Sequence, residues 1–207
     1  TRIAVRFFGG YDMSSIDLNS ESLVSESYKK GVTMGADLLQ DESKIPEFIV
    51  WAQKDKNGAP LQRVQIIKGW IDTNSGRPKE KVYDVACSDG NKVDPLTNRC
   101  PDNGARVNIT DCSYSKNVGS SELKTIWKDP DFSHTDKAFY YVRVLENPTC
   151  RWSTWDAINE DPPLRPREDL HETIQERAWS SPIWYIPNPS DVEVIPLGGT
   201  IRMRNID

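Results

Sequence analysis

Phe48-Ile49-Val50-Trp51-Ala52-Gln53, then Lys54-Asp55-Lys56-Asn57-Gly58, then Arg63-Val64-Gln65-Ile66-Ile67-Lys68-Gly69-Trp70-Ile71 decide the fold class. Two runs rich in β-branched and aromatic residues flank a polar stretch, and that is the pattern of strands around a turn. The Asn57-Gly58 pair suits a tight hairpin with positive φ, so the two runs are expected to pair with each other. Asp72-Thr73-Asn74-Ser75-Gly76 turns the chain again, and Lys81 to Cys87 reads as the next strand of a meander. Upstream, Arg2 to Phe8 alternates Ile3, Val5 and Phe7 against Arg2, Ala4 and Arg6 and stops at Gly9-Gly10. Further strands are expected at Ala105 to Ile109, Leu123 to Trp127, Ala138 to Glu146 and Ala178 to Ile186. One short helix is expected between Asn19 as N-cap and Gly31 as stop, with Leu23, Val24 and Tyr28 on one side. Short strands joined by Gly-, Asn- and Asp-rich turns make the chain mainly β: a two-sheet antiparallel β-sandwich with one short helix and long loops.

The 207 residues fit one domain over 1–186 followed by a tail, 187–207, with room for one added strand through Val192, Val194 and Ile195. A formal net charge of -5 with both signs interspersed leaves no basic stripe, which argues against nucleic acid and anionic membrane surfaces as partners. The longest apolar runs are a few residues, against the roughly 20 that a spanning helix needs. The chain opens on Thr1 with no start Met or signal peptide, and so reads as a piece of a longer or processed protein. No nucleophile elbow, phosphate-cradling Gly loop or dinucleotide fingerprint is present. The two histidines, His134 and His171, stand far apart outside any H-x-H or H-E-x-x-H setting and read as solvated loop residues. No catalytic residue and no transition-metal ligand set is therefore expected in this chain.

Chemistry concentrates in Cys87, Cys100, Cys112 and Cys150. Their spacings are far wider than the short C-x2-4-C knuckle of zinc sites, so two disulfides are expected, in a periplasmic or secreted setting. Of the local pairings, Cys87–Cys100 with Cys112–Cys150 is preferred to Cys87–Cys112 with Cys100–Cys150 because it closes shorter loops. In the same loop Asp89, Asn91, Asp94 and Asn98 bear oxygens at short spacing and form a candidate calcium set; they lack the regular Asp-x-Asp-x-Asp-Gly run, and turn positions alone explain such residues. Of seven tryptophans, Trp51, Trp70, Trp127, Trp179 and Trp184 fall in strand-like runs and are expected in the core. Trp152 and Trp155 lie in the Pro-containing stretch from Asn147 to Glu176, three apart as on one side of a helical turn. With Arg151 and Asp156 beside them they are the candidate ligand or domain-interface residues, exposed in an aromatic patch.

Gln175-Glu176-Arg177-Ala178-Trp179-Ser180-Ser181-Pro182-Ile183-Trp184-Tyr185, together with Phe139 to Glu146 and Val64 to Trp70, resembles the C-terminal part of the bacterial family called domain of unknown function 3604. The resemblance runs from about Ile3 to Tyr185. Those proteins are relatives of the PHP and amidohydrolase metal-dependent hydrolases, in which a β domain of this kind follows a histidine-rich barrel. The resemblance implies that the metal-binding barrel lies upstream of Thr1, that the parent uses a divalent metal, and that the barrel is this chain's partner. This chain would then be a non-catalytic β-sandwich supporting or rimming the barrel. The alternative is a stand-alone carbohydrate- or calcium-binding module.

Overall fold

The computed structural model describes residues 1–73, 75–164 and 168–187. In chain order the elements are β1 (Ala4–Gly10), a 3-10 turn (Met13–Ser15), α1 (Leu23–Lys30), β2 (Gly31–Thr33), β3 (Asp37–Leu39), β4 (Glu47–Gln53), β5 (Leu61–Ile71), β6 (Pro78–Cys87), β7 (Val107–Asn108), β8 (Ser113–Tyr114), β9 (Glu122–Lys128), β10 (Ala138–Glu146), β11 (Thr149–Cys150), α2 (Trp152–Asn159), β12 (Thr173–Ile174), β13 (Arg177–Trp179) and β14 (Ile183–Ile186). One sheet runs β2-β1-β4-β9 and the other β3-β14-β10-β5-β6, with β13 also on β10. Alternate residues of each turn inward, so Phe7, Phe48, Val50 and Leu123 of the first sheet share a core with Val64, Ile66, Tyr140, Val142 and Ile183 of the second. The Phe48 and Tyr140 rings meet across it at 4.5 Å. The mainly β, two-sheet reading holds.

The hairpin expected at Asn57-Gly58 is absent. β4 already has β1 on one edge and β9 on the other, so the chain leaving Gln53 has no free edge to return along. Residues 54–60 instead cross to the second sheet, where β5 pairs with β6 and β10. Neither Asn57 nor Gly58 takes a positive φ; the Asp55 carboxylate accepts the amides of Asn57 and Arg2, and its carbonyl accepts that of Gly58. The clue was in the composition of β4. Phe48-Ile49-Val50 is apolar on both faces, as in a central strand covered on both sides. Its outer face is covered by α1 and the 3-10 turn, where Phe8, Met13, Ile16, Leu23 and Ile49 form a second, smaller cluster.

Other boundaries moved for local reasons. α1 starts at Leu23 with Ser22, not Asn19, as N-cap; it stops at Gly31 as expected. Ala178 to Ile186 is two strands because Pro182 has no amide to donate, and Ser180 bonds Val142 through both its amide and its hydroxyl between them. β14 takes β3 as a parallel neighbour, so one strand pair departs from the antiparallel expectation. A second helix, α2, adds to the one expected. The proposed extra strand through Val192, Val194 and Ile195 lies outside the described residues.

A buried ion pair ties the sheets together. Lys68 on β5 reaches Asp129, just past β9, at 2.6 Å, with side chains 1% and 0% exposed. Lys68 also donates to the Asp131 carbonyl, and Tyr140 donates its hydroxyl to Asp129 at 2.8 Å. Burial beside that carboxylate pushes the Tyr140 phenol far above its ordinary pKa, so it stays a donor.

Gly69 on β5 admits a ring that no other residue would. A Cβ built there would lie 2.3 Å from Cζ of Phe139, its cross-strand partner, so the Phe139 ring lies flat on the glycine backbone. Gly69→Ala is expected to lift that ring and lower stability by about 1–3 kcal/mol, read from urea unfolding. An unchanged midpoint would show that the ring moves freely.

Candidate functional groove

The disulfides pair Cys87 with Cys100 and Cys112 with Cys150, the shorter-loop arrangement. Cys87 ends β6, and the first bridge pins the start of the long loop that follows. There the Cys100 amide donates to buried Asp84 at 2.7 Å. The second bridge joins the β7–β8 hairpin to the end of β11, one residue before α2.

β11 pairs with β12, and Arg151 follows it in extended backbone as the N-cap of α2. The Arg151 amide donates to the Glu172 carbonyl and its Nε to the His171 carbonyl. Thr154, the one fully buried residue of α2, donates its hydroxyl to Glu172 as well. These polar contacts hold one side of the helix. The opposite consequence is that Trp152 and Trp155 stand outward, 72% and 50% exposed. Between them and the hairpin runs an open groove of about 600 Å3 whose walls include Tyr114, Lys116, Arg151, Ile174 and both sulfur-bearing residues of the second bridge. The structure brings Arg151, Trp152 and Trp155 into one site, while Asp156 is exposed on α2 outside the groove lining. Tyr114 and Lys116 were missed from sequence; their only signal was their place two and four residues after Cys112.

The candidate calcium residues lie in turns, where Asp89 and Asp94 accept local hydrogen bonds through their carboxylates. Asp89, at φ 59°, accepts the Gly119 amide with both carboxylate oxygens, at 2.8 and 3.0 Å. Asp94 closes its own turn through the Leu96 amide and Thr97 hydroxyl, and these bonds hold its carboxyl below the ordinary range. Asn98 sits at φ 56° and offers its carbonyl to the Asp84 amide, and the Asn91 amide donates to the Ser88 carbonyl. No cluster of three or more His, Cys, Asp or Glu able to hold a metal occurs among the described residues.

Two groups of residues differ from expectation. His171 is exposed, but His134 is half-buried: its ring meets Phe132 edge-on at 4.9 Å, and its Nδ1 is buried without a partner. Of the five strand tryptophans, Trp70 and Trp127 pack against the core and Trp51 packs beside the smaller cluster. Trp179 and Trp184 do not belong with them, being 51% and 46% exposed on the outer face of the second sheet. Their neighbours Ala178, Ile183 and Tyr185 face the core, so strand alternation turns Trp179 and Trp184 outward.

Fold and groove together define a disulfide-braced β-sandwich with an aromatic surface site. The chain belongs to the DUF3604 family, described as proteins of unknown function, which it matches over residues 1–187. No curated protein and no solved structure matches it. No helix among the described residues is long and apolar enough to cross a membrane.

Proposed function

We propose that this chain is the non-catalytic C-terminal β-sandwich of an exported, metal-dependent hydrolase, and that the α2 groove seats it against the catalytic barrel of the same protein. The observation that carries the reading is the pair of exposed indoles on a short helix, held in place by backbone bonds and a disulfide. Large rings so presented are the side chains that dominate interface energetics. Arg151 and Lys116 supply charged groups in the groove, and Asp156 adds a carboxylate on the exposed side of α2. The metal chemistry belongs to the barrel in this reading, which rests on the kinship with PHP and amidohydrolase enzymes that the sequence resemblance implies. Two disulfides suit the periplasm or the exterior, where such bonds persist.

The test is association. The polypeptide encoded immediately upstream of residue 1 is expressed separately and titrated with this chain. Binding should weaken by about 2 kcal/mol, roughly thirtyfold, in Trp155→Ala. Unchanged affinity in that variant, or an upstream polypeptide without a metal-binding barrel, overturns the proposal. Binding of a neutral oligosaccharide at the groove would favour the stand-alone sugar-binding reading instead.

A further inference from the structure

The outer face of the second sheet carries residues that neither the core nor the α2 groove uses. Along β10 the outward positions are Phe139, Tyr141 and Arg143, roughly 7 Å apart as residues two apart on a strand must be, while Leu145 beyond them is covered. Trp184 of β14 stands opposite Phe139, and Trp179 of β13 opposite Arg143. The rings form a continuous ladder. Trp184 lies 5.2 Å from Phe139, Phe139 lies 6.2 Å from Tyr141 with planes only 16° apart, and Tyr141 lies 5.9 Å from Trp179. At its end the Arg143 guanidinium sits over Trp179 at 5.2 Å. Gly69 keeps Phe139 flat, so part of the ladder lies down against the sheet instead of projecting from it.

Charge is segregated along the same face. At the far end of the ladder Arg63 and Arg99 flank a single buried carboxylate, Asp84, Arg143 reaches it through Gln65, and Arg177 stands opposite Leu145 on the next strand. Asp84 is satisfied by the Gln65 side chain at 2.6 Å and by the Cys100 amide, with Arg63 at 3.7 Å and Arg99 at 3.4 Å. Arg143 donates Nε to Gln65 at 2.6 Å, and neither it nor Arg177 forms an ion pair among the described residues. The face's other acids, Asp37 and Glu80, stand across from Trp184 and Gly69 at the aromatic end. Arg143 and Arg177, without a carboxylate partner among the described residues, leave an anion deficit at the arginine end of a protein whose net charge is -5.

We propose that this face binds an acidic oligosaccharide, its sugar rings stacked along Trp184, Phe139, Tyr141 and Trp179 and a carboxylate or sulfate held by Arg143 and Arg177. Sugar rings offer flat C–H faces to aromatic rings, and guanidinium forks match carboxylate and sulfate oxygens. A neutral chain would leave the arginine end unpaired. This site is separate from the groove assigned to barrel docking and stands or falls independently of it.

Calorimetric titration of the chain with an oligogalacturonide hexasaccharide, a heparin-derived hexasaccharide and neutral cellohexaose tests the assignment. One or both acidic probes should bind at least about tenfold more tightly than the neutral one, with affinity falling as salt rises; binding of the oligogalacturonide means that carboxylates suffice, and binding of the heparin fragment alone means that sulfate is required. Trp184→Ala and Arg177→Gln, both at exposed positions, should each weaken binding about tenfold, while Trp155→Ala leaves it unchanged. Failure of both acidic probes to bind, equal binding of cellohexaose, or indifference to Trp184→Ala and Arg177→Gln overturns the proposal. So does loss of association with the upstream polypeptide in Trp184→Ala, which would make this face a protein interface.

Discussion

Lys68→Met is expected to destabilise the domain by about 3–5 kcal/mol, because it leaves the Asp129 carboxylate buried with no cation. Asp129 is 0% exposed and already accepts the Tyr140 hydroxyl, which stabilises the anion without neutralising it. Asp129→Asn alone should cost a similar amount by stranding the Lys68 ammonium, whose second acceptor is only the Asp131 carbonyl. Removing both charges in Lys68→Met/Asp129→Leu should recover much of the loss, since two well-packed apolar side chains avoid the desolvation that the pair suffers. Urea unfolding of the two single variants and the double variant gives the coupling directly. Additive losses would mean that the pair is not coupled across the core.

That pair also marks where the sequence stopped being legible. Lys68 shares the parity of Val64, Ile66 and Trp70, which places it inward, but alternation names no counter-ion for an inward lysine. Asp129 lies 61 residues further on in the sequence, in a turn beside Pro130 where an acidic residue needs no explanation. Alternation sees one strand at a time; a contact between sheets lies beyond it. The same limit accounts for the hairpin that does not form at Asn57-Gly58. Turn chemistry states that the chain can reverse there, whereas pairing depends on whether a strand edge is free, and both edges of β4 are taken by strands distant in sequence. The sandwich itself, most strand centres and the stop of α1 at Gly31 followed from periodicity and local signals that need no partner.

The surface tryptophans differ in what betrays their exposure. Trp152 and Trp155 were legible as exposed because the surrounding stretch is polar and Pro-containing, which leaves no core to receive them. Trp179 and Trp184 are not, because a single aromatic residue in a strand does not by itself state which face it takes. The corrective signal was in Phe139-Tyr140-Tyr141: three consecutive rings on a strand must put rings on both faces. Tyr140 is fully buried while its two neighbours turn outward, so the second sheet had to carry an aromatic exterior before any partner strand was placed. Groove walls such as Tyr114 were invisible for another reason. They are set by the Cys112–Cys150 bridge, whose pairing sequence alone leaves open.

That bridge should be the more costly disulfide to lose. In the chain-entropy account, closing a separation of 38 residues contributes about 4 kcal/mol, against about 3 kcal/mol for the 13 residues between Cys87 and Cys100. The structural consequences differ more than these figures do. The far end of the Cys87–Cys100 loop is also held by Asp84, which accepts the Cys100 amide and lends its own amide to Asn98. The β7–β8 hairpin has only two residue pairs of its own, and β11–β12 has two more, too little pairing to persist unaided. Cys112→Ser/Cys150→Ser should therefore lower the unfolding free energy by about 4 kcal/mol and, while the sandwich remains folded, release the hairpin from α2. Trypsin should then cut after Lys116 or Arg151 under conditions where the parent chain resists, and Trp155-dependent association with the barrel should weaken with it. Cys87→Ser/Cys100→Ser should lose less stability and leave that association intact. If the two double variants lose equal stability and both keep the groove protected from trypsin, the hairpin is held by packing rather than by sulfur.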